Sequence, residues 1–154
     1  MLEFAMVAPV FLALLFTIFG AGINGFYQYS LDEALRYAAR QLQINGPASL
    51  SGSAFVAAVC AKFGSLASNC SSTLTYDVQS ATYPGGFTSL TPAALPTSGN
   101  FGNSFMTGAA PAMGVAVLAQ VAYPIPFAIP FNKYLTGTGS PTIMAVTTVL
   151  VEPQ

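Results

Sequence analysis

After Glu3 the chain runs for 28 residues, Phe4 to Leu31, before the next charged side chain, Asp32. Few folds can absorb so long a stretch. The stretch Phe4 to Ile23 alone is 20 residues long, which as a helix rising about 1.5 Å per residue matches the roughly 30 Å hydrocarbon core of a bilayer. Thr17 holds the only polar side chain within it, and a threonine hydroxyl can bond back to a carbonyl one turn earlier. A secretory signal peptide would open with a basic region and carry a shorter apolar core. Here an acid, Glu3, stands at the head and helical patterning continues beyond, so the segment reads as a retained span. A carboxylate in that position lies either at the water interface or in the apolar phase with a partner, because an unpaired ionised acid in hydrocarbon is very costly.

The remainder of the composition agrees with a chain that meets lipid or copies of itself. Apolar residues make up 53% and charged residues 6%, against about 25% charged in ordinary soluble domains. A net charge of -1 offers no electrostatic grip on nucleic acid, which needs clustered Lys and Arg. With no histidine and two cysteines, histidine-dependent catalysis is excluded and a zinc site is hard to assemble. No cofactor and no metal site are expected, and no catalytic set is found.

From Asn24 the pattern becomes amphipathic. Leu31, Leu35, Ala38 and Leu42 recur at helical intervals among Asp32, Glu33, Arg36 and Arg40. Asp32 and Arg36 have the i,i+4 spacing that supports a helix. Gly46 and Pro47 provide a stop, so one helix of about 65 Å is predicted over residues 1–45, followed by a head over 46–154. A second, shorter helix is predicted over Ser49–Leu66, capped by Ser51 or Ser53, with Phe55, Val59 and Phe63 on one face. Strands are predicted within 71–83, 113–124 and 141–153, where β-branched runs are bounded by proline. The prolines of Ile125–Ser140 forbid a continuous strand there. Residues 84–111, rich in Gly, Pro, Ser and Thr, read as a long surface loop.

Several smaller features leave alternatives open. Pro9 lies either in the first helical turn, where it is harmless, or further in, where it removes a backbone bond and kinks the axis. Gly20, Gly22 and Gly25 allow close helix approach or mark a segment prone to melt. Cys60 and Cys70 have nine residues between them; a bridge would add about 2–3 kcal/mol, and the alternative is two buried thiols. Gly137 and Gly139 lack the lysine of a phosphate loop and read as a turn. Asn69-Cys70-Ser71 fits a glycosylation sequon only formally. Tyr27, Tyr29 and Tyr37 suit a membrane interface or packing on a sheet. The 19 Phe and Tyr residues read as core and interface rather than as a conduction path.

The stretches "EFAMVAPVFLALLF" (Glu3–Phe16) and "LDEALRYAARQLQ" (Leu31–Gln43) resemble the TadE-like pilins and pseudopilins of tight-adherence, type IV-like pilus systems. The pattern is an acid followed by Phe-Ala, an apolar run with an early proline, and an Ala/Arg-rich helical end. "VCAKFGSLASNC" (Val59–Cys70), "VAYPIPFAIPF" (Val121–Phe131) and a closing strand ending "VEP" extend the likeness to most of the chain outside 84–111. The acid is third here, whereas the family's processed subunits typically carry it fifth. The mature N-terminus is therefore expected two residues ahead of Met1, or processing differs.

The resemblance implies an α+β, pilin-like fold: a long N-terminal helix, a short second helix and a small antiparallel sheet. It implies Glu3 as the assembly carboxylate that neutralises a neighbour's N-terminal amine, and favours a Cys60–Cys70 bridge on the oxidising side of the membrane. It also implies cleavage by a prepilin peptidase, contact with pilus assembly machinery, anchoring in the bacterial inner membrane, and packing of identical subunits into an extracellular helical filament. The alternatives are a minor pseudopilin that primes or tips a pilus of another subunit and, from a different class, a single-span periplasmic enzyme or binding protein.

Overall fold

The computed structural model describes residues 2–45, 50–64, 69–82, 90–94, 101–108, 115–125 and 142–151. Helix α1 (Leu2–Asn45, 44 residues) is unbroken and at about 1.5 Å per residue is roughly 66 Å long. The Gly46-Pro47 stop lies outside the described residues. Along the second half of α1, Tyr27, Leu31, Ala34, Leu35, Ala38 and Leu42 form a buried stripe. The spacing predicts such a face, and this half of the helix forms one wall of the head's core.

Helix α2 (Gly52–Phe63, 12 residues) starts where Ser51 Oγ accepts a hydrogen bond from the Ala54 amide. It ends at Gly64, whose φ of +72° suits a residue without a β-carbon. It is shorter than the predicted Ser49–Leu66. Phe55, Val59 and Phe63 all point into the core. A disulfide joins Cys60 to Cys70 across 5.7 Å between Cα atoms, tying α2 to the single-turn helix α3 (Cys70–Thr73). The first strand is predicted to begin at Ser71, inside this turn, and begins instead at Thr75. Here the Asn69 carbonyl collects the amides of Ser72 and Thr73 and both of their hydroxyls, a local arrangement that competes with strand pairing.

The sheet contains β1 (Thr75–Thr82), β2 (Ser104–Gly108), β3 (Val115–Pro124) and β4 (Thr142–Leu150) in the order β2-β1-β3-β4. β3 is antiparallel to both neighbours, but β2 runs parallel to β1. The sheet is thus mixed rather than purely antiparallel, and the predicted loop 84–111 contains an edge strand. That strand is irregular. Met106 has φ +55° and is skipped in the pairing, since Phe105 faces Val78 and Thr107 faces Gln79. It is a bulge.

The sheet is covered on both sides of β3. Val115, Val117, Ala119, Val121 and Tyr123 join the helix-side core. The alternate residues Ala116, Leu118, Gln120 and Ala122 are buried as well, and segment 90–94 is bonded to this face through Gln120. Gln120, fully buried, accepts from the Ala93 amide at 2.8 Å and donates to its carbonyl at 3.4 Å. A glutamine amide thereby mimics a backbone partner and staples an irregular segment to the sheet.

Candidate assembly surface on the long helix

The first half of α1 buries almost nothing. Val7, Val10, Phe11, Leu12, Leu14, Phe16, Ile18, Phe19, Ile23 and Phe26 are exposed, Val10 at 68% and Phe19 at 66%. A contiguous apolar surface of this extent on one copy marks contact with lipid or another chain. Among the described residues α1 is the one helix long and apolar enough to cross a membrane, with a mean hydropathy of 2.0 over its most apolar window. Its internal polar group is satisfied: Thr17 Oγ1 donates to the Ala13 carbonyl at 2.8 Å, which suits a segment without water.

The helix meets the head between Gly20 and Gln28. Gly20 is buried, Tyr27 stacks edge-on against Phe63 with ring centroids 6.1 Å apart, and Phe63 in turn meets Tyr123 at 5.0 Å. Gln28 Nε2 donates to the Met144 carbonyl on β4 at 2.8 Å. Asn24, on the same stripe, has a buried Oδ1 with no hydrogen-bond partner. Burial raises the pKa of the Tyr123 hydroxyl above its ordinary value, and the neighbouring Tyr27 hydroxyl adds to the effect.

The three glycines do not share one face. Gly20 is buried and lies on the helical stripe of Tyr27 and Leu31, whereas Gly22 and Gly25 point outward, where an added β-carbon would meet nothing of the same chain. Around Gly22 the missing side chain leaves an open apolar groove of about 520 Å³ lined by Ile18, Phe19, Gly22, Ile23, Phe26 and Tyr27. Pro9 is exposed and lies inside the helix, beyond the first turn counted from Leu2. Lacking an N–H, it leaves the Ala5 carbonyl without its usual donor. Glu3 belongs to the backbone of α1; its side chain lies outside the described residues.

Other relationships were not readable from the sequence. Lys62 Nζ sits 4.8 Å from the centroid of the Tyr37 ring, joining α2 to α1 through a cation–π contact. Arg36 and Arg40 are exposed on the same side of α1 and, among the described residues, form no ion pair, so the Asp32–Arg36 spacing is not used as one. Buried Asp77 accepts from Ser104 Oγ at one oxygen and from Gln79 Nε2 at the other, which closes β2 against β1.

No curated protein and no solved structure matches this chain. One family model does. It covers 40 of the 154 residues, the helix that carries the exposed apolar surface and the first part of the head-facing stripe. Over residues 1–40 the chain matches the family of TadE-like proteins, to which it is similar in this segment.

Proposed function

We propose that this chain is a structural, non-enzymatic pilin-like subunit of a tight-adherence pilus. It is held in the bacterial inner membrane by the first half of α1, after processing by a prepilin peptidase, and is then packed with identical copies into an extracellular filament. The observation that carries this reading is the exposed apolar half of α1, which extends a packed α+β head by a length suited to a bilayer. The match of residues 1–40 to TadE-like proteins supports the same reading.

On leaving lipid, such a helix needs an equally apolar environment, and sister copies of itself provide one. Glu3 is then placed within or beside that apolar layer, where an ionised carboxylate is tolerated only with a positive partner. A neighbour's N-terminal ammonium meets that need and sets the axial register between copies.

The test is to produce the wild-type chain and its Glu3→Gln and Glu3→Ala variants in a cell that assembles the pilus. Surface fibres are then isolated and their dominant polypeptide identified. The expected outcome is wild-type fibres composed mainly of this chain, with both variants retained in the membrane and fibres lost. If the chain is present only in traces, it is a minor subunit of a pilus built from another polypeptide. A solitary membrane species, indifferent to both substitutions, would sink the assembly role altogether.

A further inference from the structure

The chain has only four cationic side chains, and three of them lie on one surface. Tyr29, Glu33, Arg36 and Arg40 follow the i, i+4, i+7, i+11 spacing of one helical face, and all four are exposed. Lys62 on α2 is drawn onto the same side by its contact with Tyr37. We infer that Arg36, Arg40 and Lys62, framed by Tyr29 and Tyr37, form a docking surface for the anionic phospholipid headgroups of the membrane that α1 spans. The inference rests on the reading of α1 as a span.

Position supports this occupant. Arg36 lies ten residues beyond Phe26, about 15 Å along the helix axis. The headgroup layer extends roughly 5–7 Å beyond the hydrocarbon. Helical side chains lean toward the N-terminus, here toward the lipid, so the Arg36 guanidinium reaches back across much of the gap. Lys62, held against the Tyr37 ring, lies at a depth similar to Arg36, while Arg40, about 21 Å beyond Phe26, forms the outer edge of the patch. Tyr29, 70% exposed and three residues past Phe26, occupies the depth where amphipathic aromatic rings are enriched.

Charge complementarity argues against a second copy as the occupant. Among the described residues, Glu33 is the one exposed carboxylate, and it belongs to the same patch. Asp32 is half-buried, and Asp77 is buried and bonded to Ser104 and Gln79. Among the described residues a sister head therefore presents one exposed carboxylate to three cations, whereas an anionic leaflet offers a negative charge with every charged lipid.

The chain contains only two lysines, Lys62 and Lys133, so acetylation can be read site by site. The full chain is placed in lipid nanodiscs of phosphatidylcholine alone or with phosphatidylglycerol. It is exposed briefly to an uncharged acetylating reagent, and modification of Lys62 relative to Lys133 is measured by mass spectrometry. The expected result is an about fivefold slower reaction at Lys62 in the anionic discs, abolished by 1 M salt. In an Arg36→Gln/Arg40→Gln variant, which experiences the same leaflet charge but has lost the anchors, the protection largely disappears. Equal Lys62 reactivity in the two lipids overturns the inference. So does protection that ignores lipid charge and rises with the number of copies per disc, since that identifies a sister chain as the cover. Failure of the chain to enter discs of either lipid would instead remove the membrane reading beneath it.

Discussion

Gln28 on α1 donates a hydrogen bond from Nε2 to the backbone carbonyl of Met144 on β4, at 2.8 Å. It is a single side chain linking the long helix to an edge strand 116 residues away. Among the described residues β4 pairs with β3 alone, and the part-buried Met144 carbonyl takes its bond from the Gln28 side chain. Replacing Gln28 with Ala leaves that carbonyl unsatisfied. Because such groups cost about 1–3 kcal/mol when their partner is removed, Gln28→Ala is expected to lower stability by an amount in that range, while Gln28→Glu, which cannot donate when ionised, fails to rescue it. Chemical denaturation in mild detergent, followed by far-UV circular dichroism, reads both.

Gly52 opens α2 directly beneath Tyr76. A β-carbon added there would lie 2.5 Å from the Tyr76 hydroxyl and 3.3 Å from its ring, and the ring is already held between Phe55 and Phe105 at 6.1 and 6.5 Å. Gly52→Ala is therefore expected to destabilise the head by about 1–3 kcal/mol through overpacking, despite the better helix propensity of alanine. The double variant Gly52→Ala/Tyr76→Phe removes the nearer clash but not the farther one. It should recover part of the loss, a coupling that denaturation of the four-member cycle measures.

What could be read from the residues, and what could not, divides by the range of the interaction. The uncharged run after Glu3 and the Leu31-Leu35-Ala38-Leu42 stripe are local periodicities, and α1 follows them to within a residue or two. Ser51 is a local cap, and α2 starts on it. β2 has no such signal. It is five residues long, its Met106 takes a positive φ at a bulge, and its parallel pairing with β1 joins residues 27 or 28 apart in sequence. The candidate surface divides in the same way. The apolar half of α1 is legible residue by residue, whereas the Lys62–Tyr37 contact and the Gln28–Met144 bond join elements distant in sequence and become visible only once the head has folded.

The Cys60–Cys70 disulfide closes a small loop between α2 and α3, and both cysteines lie in or against the core. In the chain-entropy account a loop of this size contributes about 2–3 kcal/mol. The Cys60→Ser/Cys70→Ser variant is expected to lose that amount, plus a smaller term for placing a hydroxyl at the buried Cys70 position. Thermal melts of the oxidised wild type, the reduced wild type and the variant separate the two contributions, since reduction removes only the cross-link.

Tyr123 gives the fold a dependence on alkaline pH. Its pKa in the folded chain is raised by burial and by Tyr27, so above the ordinary tyrosine value of about 10 the unfolded chain loses this proton before the folded chain does. Stability therefore falls as pH rises, because the folded state binds more protons than the unfolded state in that window. The contribution is fully present below about pH 10 and is lost as pH rises through the folded-state value. Replacing Tyr123 with Phe should flatten the decline measured by urea denaturation between pH 9 and 11, with little change at pH 7.

Gly22 separates two accounts of how the apolar half of α1 behaves on assembly. Its outward face meets nothing of its own chain, and it forms the floor of the groove between Ile18, Phe19, Ile23 and Phe26. Alanine there adds helix propensity worth about 1 kcal/mol, so in the isolated subunit Gly22→Ala should leave the head's melting temperature unchanged and slow amide exchange in α1. If sister helices approach closely at this glycine, an added methyl keeps them apart and fibre yield falls, with Gly22→Leu more severe than Gly22→Ala. If the glycine instead serves to let the helix loosen on leaving the membrane, Gly22→Ala and Gly22→Leu should impair assembly alike, because both stiffen the segment and size is immaterial. Close packing is the expected outcome, because the groove is apolar and needs an apolar occupant to exclude water. Fibre mass per cell for the two variants, normalised to membrane-resident subunit, decides between the accounts.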